Sequence, residues 1–414
     1  MRDNFDILIA GAGPAGCAAA YDLARAGKRV LLLDRRSFPR HKACACGLTR
    51  KTLKALRYSV DPIVERVCRE IVLQRAADGE RVADKAREVR VKNRTPIAAM
   101  AVRERFDKFC LDQTLAAGRD GGTATLFKIE AITALRELPD HIELDITTAD
   151  GALTLRAPVL IGADGSNGQV RRLARSLGRS GEALSPAAPA DGFALEATVP
   201  YSALPAALPG GDAPHDLVFD FAPLPGGYGW LFPKGDHINI GVGAFAPSGA
   251  DAATDLKQVT RALLTQYCEQ KLGISQMGGN TPPHITGQHL GMGGHTYVPQ
   301  GRVLLVGDAA GLVDPLTGEG IHSAVVSGQA AAAAILSVMH AGADGDALAA
   351  AYARNLQPLQ QTLAFSDRAA RAFYRDPARG FKAMRIPLLR SLILKTYADG
   401  LPHTRLLTAL AKLV

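Results

Sequence analysis

Six residues near the amino end, Gly11-Ala12-Gly13-Pro14-Ala15-Gly16, carry the strongest chemical signal in the 414-residue sequence. In a G-x-G-x-x-G turn the first glycine permits a tight bend and the second lets a pyrophosphate approach the backbone. The third lets the following helix pack close to the preceding strand. That helix offers N–H groups and partial positive charge to phosphates, so Gly11, Gly13, Ala15 and Gly16 are candidate binding positions. Asp34 lies 18 residues beyond Gly16, at the end of a second apolar run, where a carboxylate can accept ribose hydroxyls. Strand, glycine turn, helix, strand and acid in this order predict a dinucleotide site.

Three later segments favour FAD over NAD. Val102-Arg103-x-x-Phe106-Asp107 precedes a predicted helix, and Arg103 could reach phosphates. Ile161-Gly162-Ala163-Asp164-Gly165 closes a buried run and makes Asp164 a candidate. Gly307-Asp308-Ala309-Ala310-Gly311 closes another and continues to Pro315-Leu316-Thr317-Gly318-Glu319-Gly320-Ile321. There Asp308 suits a ribityl hydroxyl. Gly318, Gly320 and Ile321 bring N–H groups and a helix N-terminus to the electron-rich edge of a flavin, where negative charge would be stabilised.

These four pieces, in this order, resemble the flavoprotein group that includes p-hydroxybenzoate hydroxylase. The chain departs from that pattern at Gly168, where serine is usual, so no pyridine-nucleotide contact is assigned there. Two further segments resemble the geranylgeranyl reductase family. Lys42-Ala43-Cys44-Ala45-Cys46-Gly47 is similar to its Lys-x-Cys-(small)-x-Gly loop. Gly226-Gly227-Tyr228-Gly229-Trp230-Leu231-Phe232-Pro233 is similar to its Gly-Gly-Tyr-x-Trp-x-Phe-Pro motif. The resemblance spans roughly residues 5–330 and implies an FAD-dependent oxidoreductase that reduces C=C bonds of a prenyl group by hydride transfer. It implies that Cys44, Ala45 and Gly47 line the flavin pocket, with Cys44 positioning substrate, supplying a proton or simply filling space. The electron donor stays open between NAD(P)H and a reduced carrier protein, since no second nucleotide fingerprint appears.

Tyr228, Trp230 and Phe232 alternate along a predicted strand and therefore share one face. Such a face is either a platform for an apolar, prenyl-containing small molecule or lipid, or a stripe packed in the core. Two rival activities stay open. The Tyr-x-Trp-x-Phe-Pro stretch also resembles the Trp-x-Trp-x-Ile-Pro of flavin halogenases, which suggests a flavin-dependent monooxygenase or halogenase. A non-catalytic flavin protein that binds a membrane or partner is the other. Neither the ten histidines nor the Cys-x-Cys pair has metal-ligand spacing, so no metal site is expected.

The elements that must position these groups follow from the apolar pattern. Short apolar runs alternate with helical stretches at first, then with Gly/Pro turns, which predicts an α/β fold. A discontinuous Rossmann-like FAD-binding domain is expected over 1–65, 98–180 and 285–345. A β-rich antiparallel substrate domain is expected over 66–97 and 181–284, and a helical, basic C-terminal region over 346–414. Composition is that of an ordinary globular protein, with 47% hydrophobic and 21% charged residues. No spanning segment of roughly 18 uncharged apolar residues is expected. Met1–Ala10 reads as the start of a strand rather than an export leader, and the six cysteines read as reduced thiols. The expected location is cytoplasmic.

Charge is concentrated at one end. From Arg368 to Val414 there are ten Lys/Arg and two Asp, an excess equal to the net charge of +8 of the whole chain. A basic stretch interleaved with leucine and isoleucine suits peripheral contact with an anionic membrane, if it is not simply a solvated helical face. Nucleic acid is disfavoured, since no zinc-finger or aromatic RNA-binding pattern accompanies it.

Overall fold

A five-stranded parallel sheet organises the amino-terminal half of the computed structural model, which describes residues 5–75, 88–177, 192–206, 208, 216–221, 226–244, 256–274, 285–338 and 344–400. The chain starts in the middle of this sheet with Ile7–Ala10. It moves outward through Arg29–Asp34 and Thr123–Lys128, then returns to the other side with Val159–Gly162 and Val303–Leu305. The strand order reverses between Ile7–Ala10 and Val159–Gly162, which opens a crevice at their carboxyl ends. All four residues of each of these two strands are buried, as expected of a parallel sheet covered on both faces. Helices Pro14–Arg25 and Ile321–Val338 pack against each other on one side, with Gly345–Arg375 outside them. A three-stranded antiparallel sheet over residues 131–157 lies beside the parallel one.

The second layer is a seven-stranded, mostly antiparallel sheet. Its strands run, edge to edge, Ile285–Leu290, Gly192–Pro200, His237–Ala244, Gly227–Pro233, Leu217–Asp220, Glu70–Gln74 and Glu88–Lys92. Alternation sorts its side chains. Leu195, Leu231, Ile240 and Val242 face one way and pack on the helix Leu256–Leu272 through Leu264, Tyr267 and Cys268. Phe219, Tyr228, Trp230 and Phe232 face the other way and meet Phe381, Met384, Leu394 and Ala398 from the two C-terminal helices, Pro377–Met384 and Pro387–Asp399.

One transverse row on that second face determines its shape. Glu196 is paired with Gly241, Gly241 with Trp230, and Trp230 with Phe219 across four neighbouring strands. The Trp230 ring occupies the space that a side chain at position 241 would fill, since a Cβ there would lie 2.1 Å from the ring. The indole Nε1–H reaches Asn239 Oδ1 at 2.7 Å.

Three expectations need correction. Ala124–Leu135 reads from sequence as one strand, but it is two strands in different sheets, Thr123–Lys128 and Ala131–Glu137, separated by a turn that period-2 alternation does not reveal. The segment 285–290 was expected in the FAD-binding part, but it hydrogen-bonds to Gly192–Pro200 as an edge of the seven-stranded sheet. Gly192–Pro200 itself falls inside an Ala/Pro/Gly-rich stretch whose periodicity is weak. Finally, Ile321–Val338 is long and apolar enough to cross a membrane, contrary to expectation. In this fold it is a core helix, with its alanines packed against the glycine-turn helix. The basic residues Arg405 and Lys412 lie outside the described residues.

Filling the gap in the transverse row should unseat the indole. We expect Gly241→Ala to lower stability by about 1–3 kcal/mol in urea unfolding, with a shift in tryptophan emission that reports directly on the protein's sole Trp.

Candidate active site

The crevice of the parallel sheet and the aromatic face of the antiparallel sheet open into one continuous cavity of about 610 Å³. Every candidate from the sequence lines it except Gly16: Gly11, Gly13, Ala15 and Asp34 at one end, then Cys44, Ala45, Gly47 and Arg103. Asp164, Asp308, Gly318, Gly320 and Ile321 form a further wall, and Tyr228, Trp230 and Phe232 lie at the apolar end. Gly16 serves packing instead, since a Cβ there would sit 2.0 Å from Gly11 O.

The dinucleotide end is built from backbone. Gly11 has φ +103°, and its absent Cβ would lie 2.3 Å from Ala163 O, so the two central strand ends can approach only with glycine there. Asp34 accepts from Ala12 N at 2.9 Å and thereby fixes the turn as well as facing the cavity. Arg103 and Arg40 both contact the buried Asp107, at 2.7 and 3.1 Å, which leaves an excess of positive charge beside the cavity. Asp164 accepts from Val170 N with one oxygen, while the other is buried without a protein partner. Position 168 has no room for the serine of related sequences, because a Cβ would meet that second oxygen at 2.1 Å. A buried carboxylate oxygen awaiting a donor, a glycine cradle and a shared arginine pair fit the hydroxyls and phosphates of FAD.

The loop that carries Cys44 is held from three sides. Cys44 N donates to Glu196 Oε1 at 2.8 Å. Lys234, only 2% exposed, donates through Nζ to Ala45 O at 2.5 Å and approaches Cys46 O at 3.4 Å. Cys46 has φ +47°, an uncommon conformation for a side-chain-bearing residue, which turns its N–H onto Cys44 Sγ at 3.3 Å. Hydrogen bonding from Cys46 favours the Cys44 thiolate, and Arg103 and Lys42 add to this, so the thiol lies well below its ordinary pKa although burial opposes the shift. Burial also lowers the Lys234 ammonium.

Glu196 is the residue that sequence reasoning missed. It is 6% exposed, lines the cavity and sits on the strand Gly192–Pro200. Burial, then the charge of Cys44, pushes its carboxyl up to about 7, outweighing its hydrogen bonds from Cys44 N and Asn239. The available signal was the alternation Phe193, Leu195, Ala197, Val199, which places Glu196 on the opposite face. Phe219 and Tyr397 were missed for a different reason: they come to the aromatic end from a short strand and from the last described helix. That helix is tied down by Asp399, which bonds Arg50 at 2.5 Å. Tyr228 OH donates to Thr317 O, linking the aromatic face to the loop before Ile321. Lys51 and Glu319 pair at 2.6 Å in the same wall.

Comparison with known proteins agrees with this geometry. The family model described as FAD binding domain matches residues 4–366. A menaquinone reductase of Mycobacterium tuberculosis is 31% identical over 80% of this chain and 76% of its own. A digeranylgeranylglycerophospholipid reductase of Methanosphaera stadtmanae is 30% identical over 79% of this chain and 76% of its own. Among solved structures, a geranylgeranyl bacteriochlorophyll reductase-like protein of Thermoplasma acidophilum superposes with a TM-score of 0.72 at 19% identity, covering 89% of this chain and 88% of that one. A flavin-dependent brominase superposes with a TM-score of 0.68 at 18% identity over 96% and 94% of the two chains. These two likenesses describe the fold.

Cys44 is half-buried, whereas the other five cysteines are buried. In FAD-free protein, iodoacetamide should modify Cys44 first, at a rate that falls less steeply on acidification below pH 9 than that of an ordinary free thiol. Peptide mass spectrometry reads the site, and added FAD should protect it.

Proposed function

The chain belongs to the FAD binding domain family of oxidoreductases, and we propose that it reduces C=C bonds of a prenyl or other isoprenoid chain. The observation that carries this reading is the apolar end of the cavity. There Phe219, Tyr228, Trp230 and Phe232 form a floor and Tyr397 forms part of a roof, continuous with the space beside Cys44 and Gly47. A cavity with this composition suits a long hydrocarbon better than a polar substrate. The names of the menaquinone and digeranylgeranylglycerophospholipid reductases, whose substrates carry such chains, support the same choice.

FAD bound in this cavity would supply the hydride. The protein's own part is positioning, dryness and a proton. Asp164, Asp308 and the Gly11 turn hold the cofactor's polar parts, and Arg103 and Arg40 offset its phosphate charge. The aromatic floor and the helix Pro387–Asp399 keep water from the reacting carbons. An isolated alkene has no carbonyl to absorb negative charge, so hydride addition needs an acid close to the second carbon.

The same helix supports contact with an anionic lipid surface. Of the six large hydrophobic residues exposed among those described, Ile386, Leu388 and Ile393 are 51%, 71% and 45% exposed and lie on this segment. Arg385, Lys382 and Lys395 are exposed beside them. Insertion of the apolar side chains and attraction of the cations act together at such a surface.

Two outcomes are expected. Prereduced holoenzyme, mixed anaerobically with geranylgeranyl diphosphate or a prenylated quinone, should yield products heavier by one or more H2 units in mass spectrometry. A product that forms only with oxygen would instead favour a monooxygenase or halogenase. In flotation assays, vesicles containing phosphatidylglycerol should carry the protein more than neutral vesicles do. Leu388→Asp combined with Ile393→Asp should abolish that difference while leaving flavin content unchanged.

A further inference from the structure

We propose that Glu196 is the proton donor of this cavity, its side-chain carboxyl delivering the proton that completes reduction of the alkene. The inference rests on the alkene-reductase reading and adds to it the identity of the acid.

The placement of Glu196 is specific. It stands on the cavity face of its strand, at the end of the row that continues through Gly241 to Trp230. Because position 241 has no side chain, nothing in that row separates the Glu196 carboxyl from the indole that floors the apolar end. Asn239 Oδ1 is occupied by Trp230 Nε1–H, so Asn239 presents its amide N–H to Glu196. With Cys44 N on Oε1 at 2.8 Å, the carboxyl is held on both sides and aimed into the cavity beside Cys44.

The two ionisable groups at this spot are driven in opposite directions. Cys44 is shifted towards the thiolate, the form that has no proton to give. Glu196 is shifted towards the neutral acid, its carboxyl pushed up to about 7 by burial and then by the charge of Cys44. Divergent environments for neighbouring groups are the usual signature of an acid and base division of labour. The ionisable groups acting on Glu196 are Cys44 from the loop and Lys234 from the end of the aromatic strand. Thr286, opposite it on the edge strand, and Asn239 are neutral.

The step balances. The alkene π bond is lost and two C–H bonds form, one from the hydride of reduced flavin and one from the Glu196 carboxyl. Flavin is oxidised by two electrons and the substrate reduced by two. The Glu196 carboxylate then regains a proton from water.

The test uses dithionite-reduced holoenzyme and geranylgeranyl diphosphate, with flavin reoxidation followed anaerobically. Wild type should reoxidise at a rate that falls as the pH rises through about 7. Glu196→Gln should be slower by at least ~100-fold and lack that pH dependence, and Glu196→Asp should restore part of the rate. A second measurement needs neither substrate nor turnover. Since the folded protein holds the Glu196 proton more tightly than the unfolded chain, wild-type stability relative to Glu196→Gln should be greatest below about 4.5. It should decline until the pH passes about 7. Reoxidation by Glu196→Gln within threefold of wild type, or a flat stability difference, overturns the assignment while leaving the alkene reading in place. Wild type that is reduced by dithionite but never reoxidised by any prenyl probe overturns both.

Discussion

The contact on which the molecule depends is between two backbones, Gly11 against Ala163, where neighbouring strands of the parallel sheet end and the strand order reverses. A side chain at position 11 would collide with a carbonyl oxygen 2.3 Å away, and no side-chain rearrangement can relieve a clash with main chain. With glycine there, the crevice between the two strand ends is narrow, lined by N–H groups, and continuous with the loop of Cys44. Asp34 bonds to Ala12 N and so stiffens the turn at the same point. The rest of the binding machinery is arranged around this fixed edge.

A second absence shapes the other half. The missing side chain at Gly241 lets the Trp230 ring lie flat across the sheet, and the ring in turn fixes Asn239 through its only polar hydrogen. Asn239 then orients Glu196. Thus a packing decision on one strand sets the hydrogen bonding of an acid two strands away. A buried network of this kind is stable only when its members are satisfied, and Trp230 Nε1–H, Cys44 N–H and the Asn239 amide each have an acceptor. Lys234 ties the neighbouring loop through Ala45 O, where Cys46 keeps an uncommon backbone conformation.

Much of the cofactor end was legible in the sequence because its chemistry is local. A glycine turn, an acid at the next strand end and two later strand-end aspartates each announce themselves within ten residues or so. The aromatic stripe was legible too, since Tyr228, Trp230 and Phe232 follow the period of a strand. What could not be read was the company these residues keep. Glu196 lies in a strand whose flanks are rich in Ala, Pro and Gly, and its importance comes from register with Gly241, a pairing that no local pattern encodes. The uncharged run Ile321–Val338 has the composition of a bilayer helix, and only its packing against the alanines of Pro14–Arg25 makes it a core element. The basic C-terminal region read as a solvated or lipid-facing surface. Its inner side is apolar and buried, because the charges and the large side chains occupy different helical faces.

The roof over the aromatic chamber comes from residues 377–399, whereas the cleft lining around Gly11, Asp164 and Asp308 is complete by Ile321. During synthesis the nucleotide-holding half therefore emerges before the lining of the greasy compartment is complete. The wall that shuts the chamber is thus the last described stretch to be made, and the pair of Asp399 with Arg50 fastens it.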